Sequence, residues 1–170
     1  MALQVKIAGM DFRSPVWVAA GPPGRDAQAL LACAKGGAGG LVAKTISVKG
    51  AEVPRPCMAR PSGGQLNNSM LNVELWSDYP PSQWIDKEYV ATRAGLSTQE
   101  GNCPLIASLG YSAADMRELV PKVDPLVDAF EFSLFFPFLS LFLSFFLKPI
   151  CVQHSQLIDL STGCHYTSLD

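Results

Sequence analysis

Gly36-Gly37-Ala38-Gly39-Gly40 runs into Leu41-Val42-Ala43-Lys44-Thr45, and the reading of this stretch decides the reading of the chain. A short apolar run bounded by glycine reads as a buried strand. Lys44 and Thr45 then stand at its carboxyl end, the edge where α/β sheets and barrels hold their ligands. A buried strand seldom ends in lysine for packing alone, because the ammonium must reach water or an anionic partner. Two readings stay open from these residues: a site lysine, or a lysine that snorkels to the surface.

The glycines do not make a nucleotide loop. A P-loop needs glycine immediately before its lysine, and Ala43 occupies that place. The Gly-x-Gly-x-x-Gly spacing that opens a Rossmann helix is absent as well. Gly36 and Gly37 are better read as a helix stop, and Gly39-Gly40 as a tight turn into the strand.

Upstream, Gln4 to Ile7 alternates and turns at Gly9 into Asp11-Phe12-Arg13, which predicts a hairpin. Pro15 to Ala20 reads as a buried strand stopped by Gly21-Pro22-Pro23-Gly24. Asp26 reads as the N-cap of a helix that carries Ala29, Leu30, Ala32 and Cys33 to Gly36. Residues 15 to 45 are thus strand, helix, strand, with a crossover long enough for a parallel pair.

Downstream, residues 46 to 81 are rich in proline, glycine and asparagine, and predict a long loop over the lysine end of the strand. A helix follows from Ser82 to Ala94, with Trp84, Ile85, Tyr89 and Val90 inward. Pro104 to Leu109 is a third buried strand, Ser112 caps a helix that Pro121 ends, and Val127 to Phe132 is a fourth strand. Strands alternating with helices imply a parallel sheet or the first half of a (β/α)₈ barrel.

The totals of this 170-residue chain limit the alternatives. That length suits one domain with a real core. A net charge of −2 gives no footprint for nucleic acid or an anionic membrane surface. The five cysteines contain no Cys-x-x-Cys pair, which disfavours zinc and iron–sulfur ligation and suits a reduced, cytoplasmic setting. His154 and His165 lack a second ligand at metal spacing. Met1 to Met10 has no long apolar core of the kind a signal peptide carries.

Composition breaks after Phe132. Eight of the nine phenylalanines lie at or beyond Phe130, and no charge occurs between Glu131 and Lys148. This apolar run falls short of the ~18 residues of a spanning helix and contains Pro137. The tail to Asp170 has no periodicity. The chain therefore divides at 1–133 and 134–170, with an aberrant hydrophobic C-terminal segment.

Taken in order, Pro15 to Gly21, Gly37 to Thr45, Pro54-Arg55-Pro56, Leu71-Asn72-Val73-Glu74-Leu75, Pro104 to Ser108 and Asp128-Ala129-Phe130-Glu131-Phe132 resemble the flavin-dependent dihydroorotate dehydrogenase family, and within it the dihydropyrimidine dehydrogenase branch. The resemblance implies the first half of a (β/α)₈ TIM barrel with FMN at the carboxyl ends of the strands. It places the backbone of Ala20 and Gly21 against the flavin ring, where a larger side chain would hold the ring away. It places Lys44 beside the N1–C2 edge, where a positive charge stabilises the reduced anionic flavin. Thr45 would hydrogen-bond the cofactor. Lys44 and Asn72 would meet the pyrimidine, and an amide matches its alternating C=O and N–H edge. Asn68, in Asn68-Ser69-Met70, is the rival for the role of Asn72, and ordinary turn formation is the alternative for both.

The family reaction exchanges two hydrogens between the C5–C6 bond of a pyrimidine and FMN, with a cysteine or serine base on the loop after the fourth strand. Here that strand runs into Ser133-Leu134-Phe135-Phe136-Pro137, so no catalytic base is assigned. The second half of the barrel, with the FMN phosphate site, has no counterpart. The ending His165 to Asp170 looks like the delayed continuation of Phe132-Ser133, as though residues 134 to 164 were a translated intron. The expectation is a truncated oxidoreductase fragment, inactive alone. NAD(P) and an iron–sulfur unit would enter only through a missing segment or an electron-transfer partner, and the fragment could form a homo-oligomer. Two other readings are a non-catalytic protein anchored to a membrane by residues 132–147, and an FMN barrel oxidoreductase with another substrate.

Overall fold

The computed structural model describes residues 3–60, 69–99, 101–134 and 150–151. An N-terminal hairpin, β1 (Val5–Ile7) with β2 (Met10–Phe12), turns at Ala8-Gly9. Then come β3 (Trp17–Val18), helix α1 (Ala27–Lys35) and β4 (Gly40–Val42). A small antiparallel hairpin, β5 (Met58–Ala59) with β6 (Leu71–Asn72), lies in what the sequence predicted as unbroken loop. One helix, α2, runs as Pro81–Gln83, a π-helical turn Trp84–Glu88, and Tyr89–Leu96. The order closes with β7 (Leu105–Tyr111), α3 (Ala113–Val123), β8 (Ala129–Leu134) and β9 (Ile150–Cys151).

Strands β3, β4, β7 and β8 form a parallel sheet in chain order, and β9 pairs antiparallel with β8. Leu30 of α1, Trp84 and Tyr89 of α2, and Leu119 and Val123 of α3 share one core with Leu41, Ala43, Leu105, Ala107, Leu109 and Phe130. All three helices therefore pack on the same face. The opposite face carries Val42, Ile106 and Ala129, closed by Phe12, Met10 and Trp17 of the N-terminal segment. Sequential parallel strands with every helix on one side form the repeating unit of a barrel wall, and the hairpin covers the inner face where the strands begin. The fold is α/β with a parallel four-stranded sheet, as expected.

Local chemistry accounts for the element ends. The Asp26 carboxylate accepts from the Ala29 amide at 2.7 Å and caps α1; Ser112 accepts from Asp115 N and caps α3. Gly39 is required by contact: a Cβ there would stand 1.8 Å from the Ser14 carbonyl oxygen. The strand expected over Pro15 to Ala20 is only Trp17–Val18, because Gly21 N turns back to donate to Ala19 O at 2.7 Å.

Two helix expectations need correction. Pro121 lies inside α3 and does not end it. It removes one helical donor near the C-terminus, while buried Met116, Leu119 and Val123 hold that turn to the sheet. In α2, Val90 is exposed and not inward. The π-helical turn adds a residue between Trp84 and Tyr89, so these two both face inward five apart, their rings in tilted contact, and Val90 rotates out. Glu88 takes an inner place and accepts from Ala27 N at 2.9 Å, a second acceptor for the α1 N-terminus.

The apolar run after Leu134, the proposed insert apart from Leu134 and Ile150–Cys151, and the tail all lie outside the described residues. Among the described residues, no helix is long and apolar enough to cross a membrane.

Candidate functional site

The carboxyl end of β4 is irregular, and that irregularity builds the site. Ala43 N donates to Ile106 O and Ile46 N donates to Ser108 O, both at 2.9 Å. Three steps along the first strand thus span two along its partner, so one extra residue is accommodated at Lys44-Thr45, a β-bulge. The freed Lys44 N–H donates instead to Gly24 O at 2.9 Å. This bond ties the turn after β3, and with it Ala20 and Gly21, to the bulge.

Both bulge side chains find polar partners. Lys44 Nζ donates to Glu74 Oε1 at 2.7 Å, with the lysine side chain 5% and the glutamate side chain 16% exposed. The lysine therefore does not snorkel to water; the loop after β4 brings it a carboxylate. Lys44, followed by the Cys57 thiol, holds the Glu74 carboxyl below its ordinary range through hydrogen bonds. Ser77 N donates to Thr45 O at 2.8 Å and fixes the same loop across the bulge.

Thr45 Oγ1 lies 2.8 Å from Ser108 Oγ, and Ser108 Oγ donates to Glu131 Oε1 at 3.3 Å. Ser108 and Glu131 are register partners on β7 and β8. They alternate with Ala107, Leu109 and Phe130 of the helix-side core, so they belong to the inner face, one layer beyond Ile106 and Ala129. Three adjacent strands thus contribute a hydroxyl, a hydroxyl and a carboxylate in one row.

The sequence-derived candidates come together in part. Ala20 packs against the inner-face cluster, and Gly21, Lys44 and Thr45 gather at the same strand ends. A Cβ on Gly21 would meet nothing nearer than Pro23 Cδ at 3.7 Å, so the protein's own packing does not demand glycine there. Asn72 is exposed on β6, and its Oδ1 accepts from Glu74 N at 2.9 Å in a local turn that presents Glu74 to Lys44. Asn68 lies outside the described residues. Arg55 is exposed and donates to Asp78 at 3.0 Å. Glu74, Ser108 and Glu131 carried no role in the sequence reading. For Ser108 and Glu131 the available signal was a polar residue between apolar neighbours in a strand. Among the described residues, no group of three or more His, Cys, Asp or Glu side chains could hold a metal ion.

No family model matches the chain. It is similar to dihydroorotate dehydrogenase B (NAD(+)), catalytic subunit, of Methanocaldococcus jannaschii, at 26% identity over 136 residues, which cover 79% of this chain and 42% of that protein. It is also similar to an Aquifex aeolicus protein provisionally named dihydroorotate dehydrogenase A (fumarate), at 33% identity over 107 residues, which cover 59% of this chain and 35% of that protein. The chain thus spans about two fifths of the length of the curated relatives it matches.

Proposed function

We propose that this chain is the N-terminal half-site of a flavin-dependent oxidoreductase of the dihydroorotate dehydrogenase kind, acting on the C5–C6 bond of a pyrimidine. The observation that carries the reading is the bulge at Lys44-Thr45, which holds a buried ammonium and a hydroxyl at the carboxyl end of a parallel strand. The likeness to two proteins named as dihydroorotate dehydrogenases supports it independently.

The residues suit FMN. Ala20 and Gly21 offer backbone with little side chain, a Cβ at Gly21 meeting only Pro23 Cδ at 3.7 Å, and Lys44 offers a positive charge on the same edge. When bound, FMN would supply the two-electron acceptor for the pyrimidine. Lys44 would hold negative charge on the ring, with Glu74 limiting how much of the ammonium is free to do so. Thr45 would orient the ring by one hydrogen bond, and the loop carrying Glu74 and Ser77 would keep water from the bulge. Asn72, with its amide nitrogen outside the local turn, would donate to a pyrimidine carbonyl. With no base assigned after β8, catalysis by this chain alone is not expected.

Equilibrium titration of the full chain with FMN, followed by flavin fluorescence, tests the proposal without requiring turnover. Saturable quenching that weakens at least tenfold in Lys44→Ala supports it. Quenching that is absent, or indifferent to Lys44, rejects it.

A further inference from the structure

The row Thr45–Ser108–Glu131 has a direction that its protons dictate. A hydroxyl owns one hydrogen and two lone pairs, and a carboxylate owns none to give. Ser108 spends its hydrogen on Glu131 Oε1. In the 2.8 Å contact with Thr45, Ser108 can then only accept, so Thr45 must donate. Thr45 has thereby spent its own hydrogen, and whatever meets its remaining lone pairs must bring one. Beside it, Lys44 can only donate. The bulge therefore sets a fixed donor next to a fixed acceptor.

We infer that Glu131, acting through Ser108, is a positioning residue that locks the Thr45 hydroxyl as an acceptor, so that the carboxyl end of β4 selects a ring presenting an N–H beside a carbonyl. On the flavin reading proposed above, on which the ligand's identity rests, that edge is the imide of the oxidised isoalloxazine. Its N3–H is the one ring N–H in that oxidation state. Ser108 is fully buried and Thr45 is 8% exposed, so water has little access to reorient the row. Serine and glutamate inside an otherwise apolar wall have a reason to be there if their task is to fix a third residue's hydrogen.

The test compares FMN with 3-methyl-FMN, in which N3–H becomes N–CH3, so the donor is lost and both carbonyls are kept. Both are titrated into the full chain and into Thr45→Ala, Ser108→Ala and Glu131→Leu. The readout is the ratio of the two dissociation constants, because a fraction of misfolded protein scales both and cancels. The expected result is about a tenfold preference for FMN in the unaltered chain, of the size one such hydrogen bond contributes. The preference should be lost in Thr45→Ala and fall to threefold or less in Ser108→Ala and Glu131→Leu. If Ser108 and Glu131 were merely structural, both ligands would weaken together and the ratio would hold, which overturns the inference and leaves the flavin site standing. Equal binding of the two ligands by the unaltered chain overturns it as well. If neither ligand binds, the flavin reading falls and this inference with it.

Discussion

Ser108 and Leu109 are neighbours on β7, both fully buried, and they face opposite environments. Leu109 looks toward the helices, into a core of Leu, Ile, Val, Trp and Phe side chains. Ser108 looks the other way, into the polar row with Thr45 and Glu131. The same strands thus carry a dry face that holds the molecule together and an inner face that turns from apolar to polar as the strands proceed. The apolar layer of Val42, Ile106 and Ala129 closes the inner face under the hairpin, and the polar row occupies the next layer. Stability and chemistry are separated by the two-residue period of a strand, so one residue's shift in register would exchange them.

Substitutions can break this separation if it is wrong. The largest stability loss belongs to the dry face. Leu109→Ala should cost about 3 kcal/mol, read as a shift in the urea midpoint, through lost burial and the cavity left behind. Any flavin binding should keep its preference for N3–H. A changed preference would mean that the two faces are coupled.

Next comes the ion pair at the boundary. Glu74→Gln removes the partner of a nearly buried ammonium, and a loss of about 2 kcal/mol is expected, between the values for exposed and fully buried pairs. Its pH dependence sharpens the assignment. The folded state holds the Glu74 carboxyl below its ordinary value of 4.5, so its contribution is fully present above that value. It is lost as pH falls through the lowered folded value. Unfolding midpoints measured downward from pH 6 should therefore drop more steeply in the unaltered chain than in Glu74→Gln. Parallel curves would remove Lys44–Glu74 from the account.

A smaller effect, of opposite sign, is expected within the dry face itself. Among the described residues the buried Tyr89 hydroxyl has no hydrogen-bond partner, and burial pushes its phenol well above the ordinary range. Tyr89→Phe should leave stability unchanged or raise it by up to about 1 kcal/mol in thermal unfolding. A loss would show that the hydroxyl has a role that packing does not explain. Smallest of all, Val90→Lys on the exposed side of α2 should move the midpoint by less than about 0.5 kcal/mol. A larger loss would put Val90 back on the inner side of the helix, where a straight 3.6-residue period had set it.

The regular parts of the chain were legible because they follow local rules. Asp26 and Ser112 announce their helices by capping, and Leu41-Val42 and Leu105-Ile106 announce buried strands by unbroken apolarity. Helix α2 was found but turned wrongly, since a π-helical insertion between Trp84 and Tyr89 leaves no mark on the pattern of residue types. The hairpin β5–β6 was read as loop because each of its strands is two residues long and exposed, too short for any alternation to show.

By itself the sequence determined that strands and helices alternate, that Lys44 and Thr45 end a buried strand, and that the loop beyond them crosses that end. Each follows from near-neighbour chemistry: propensity, capping and apolar period. Only the tertiary structure decided that Lys44 meets Glu74 thirty positions away, that the bulge frees the Lys44 amide for Gly24, and that Thr45, Ser108 and Glu131 align across three strands. The physical reason is register. Which residue of one strand stands opposite which of another is set by the packing of whole helices against the sheet, and no local stretch contains that information.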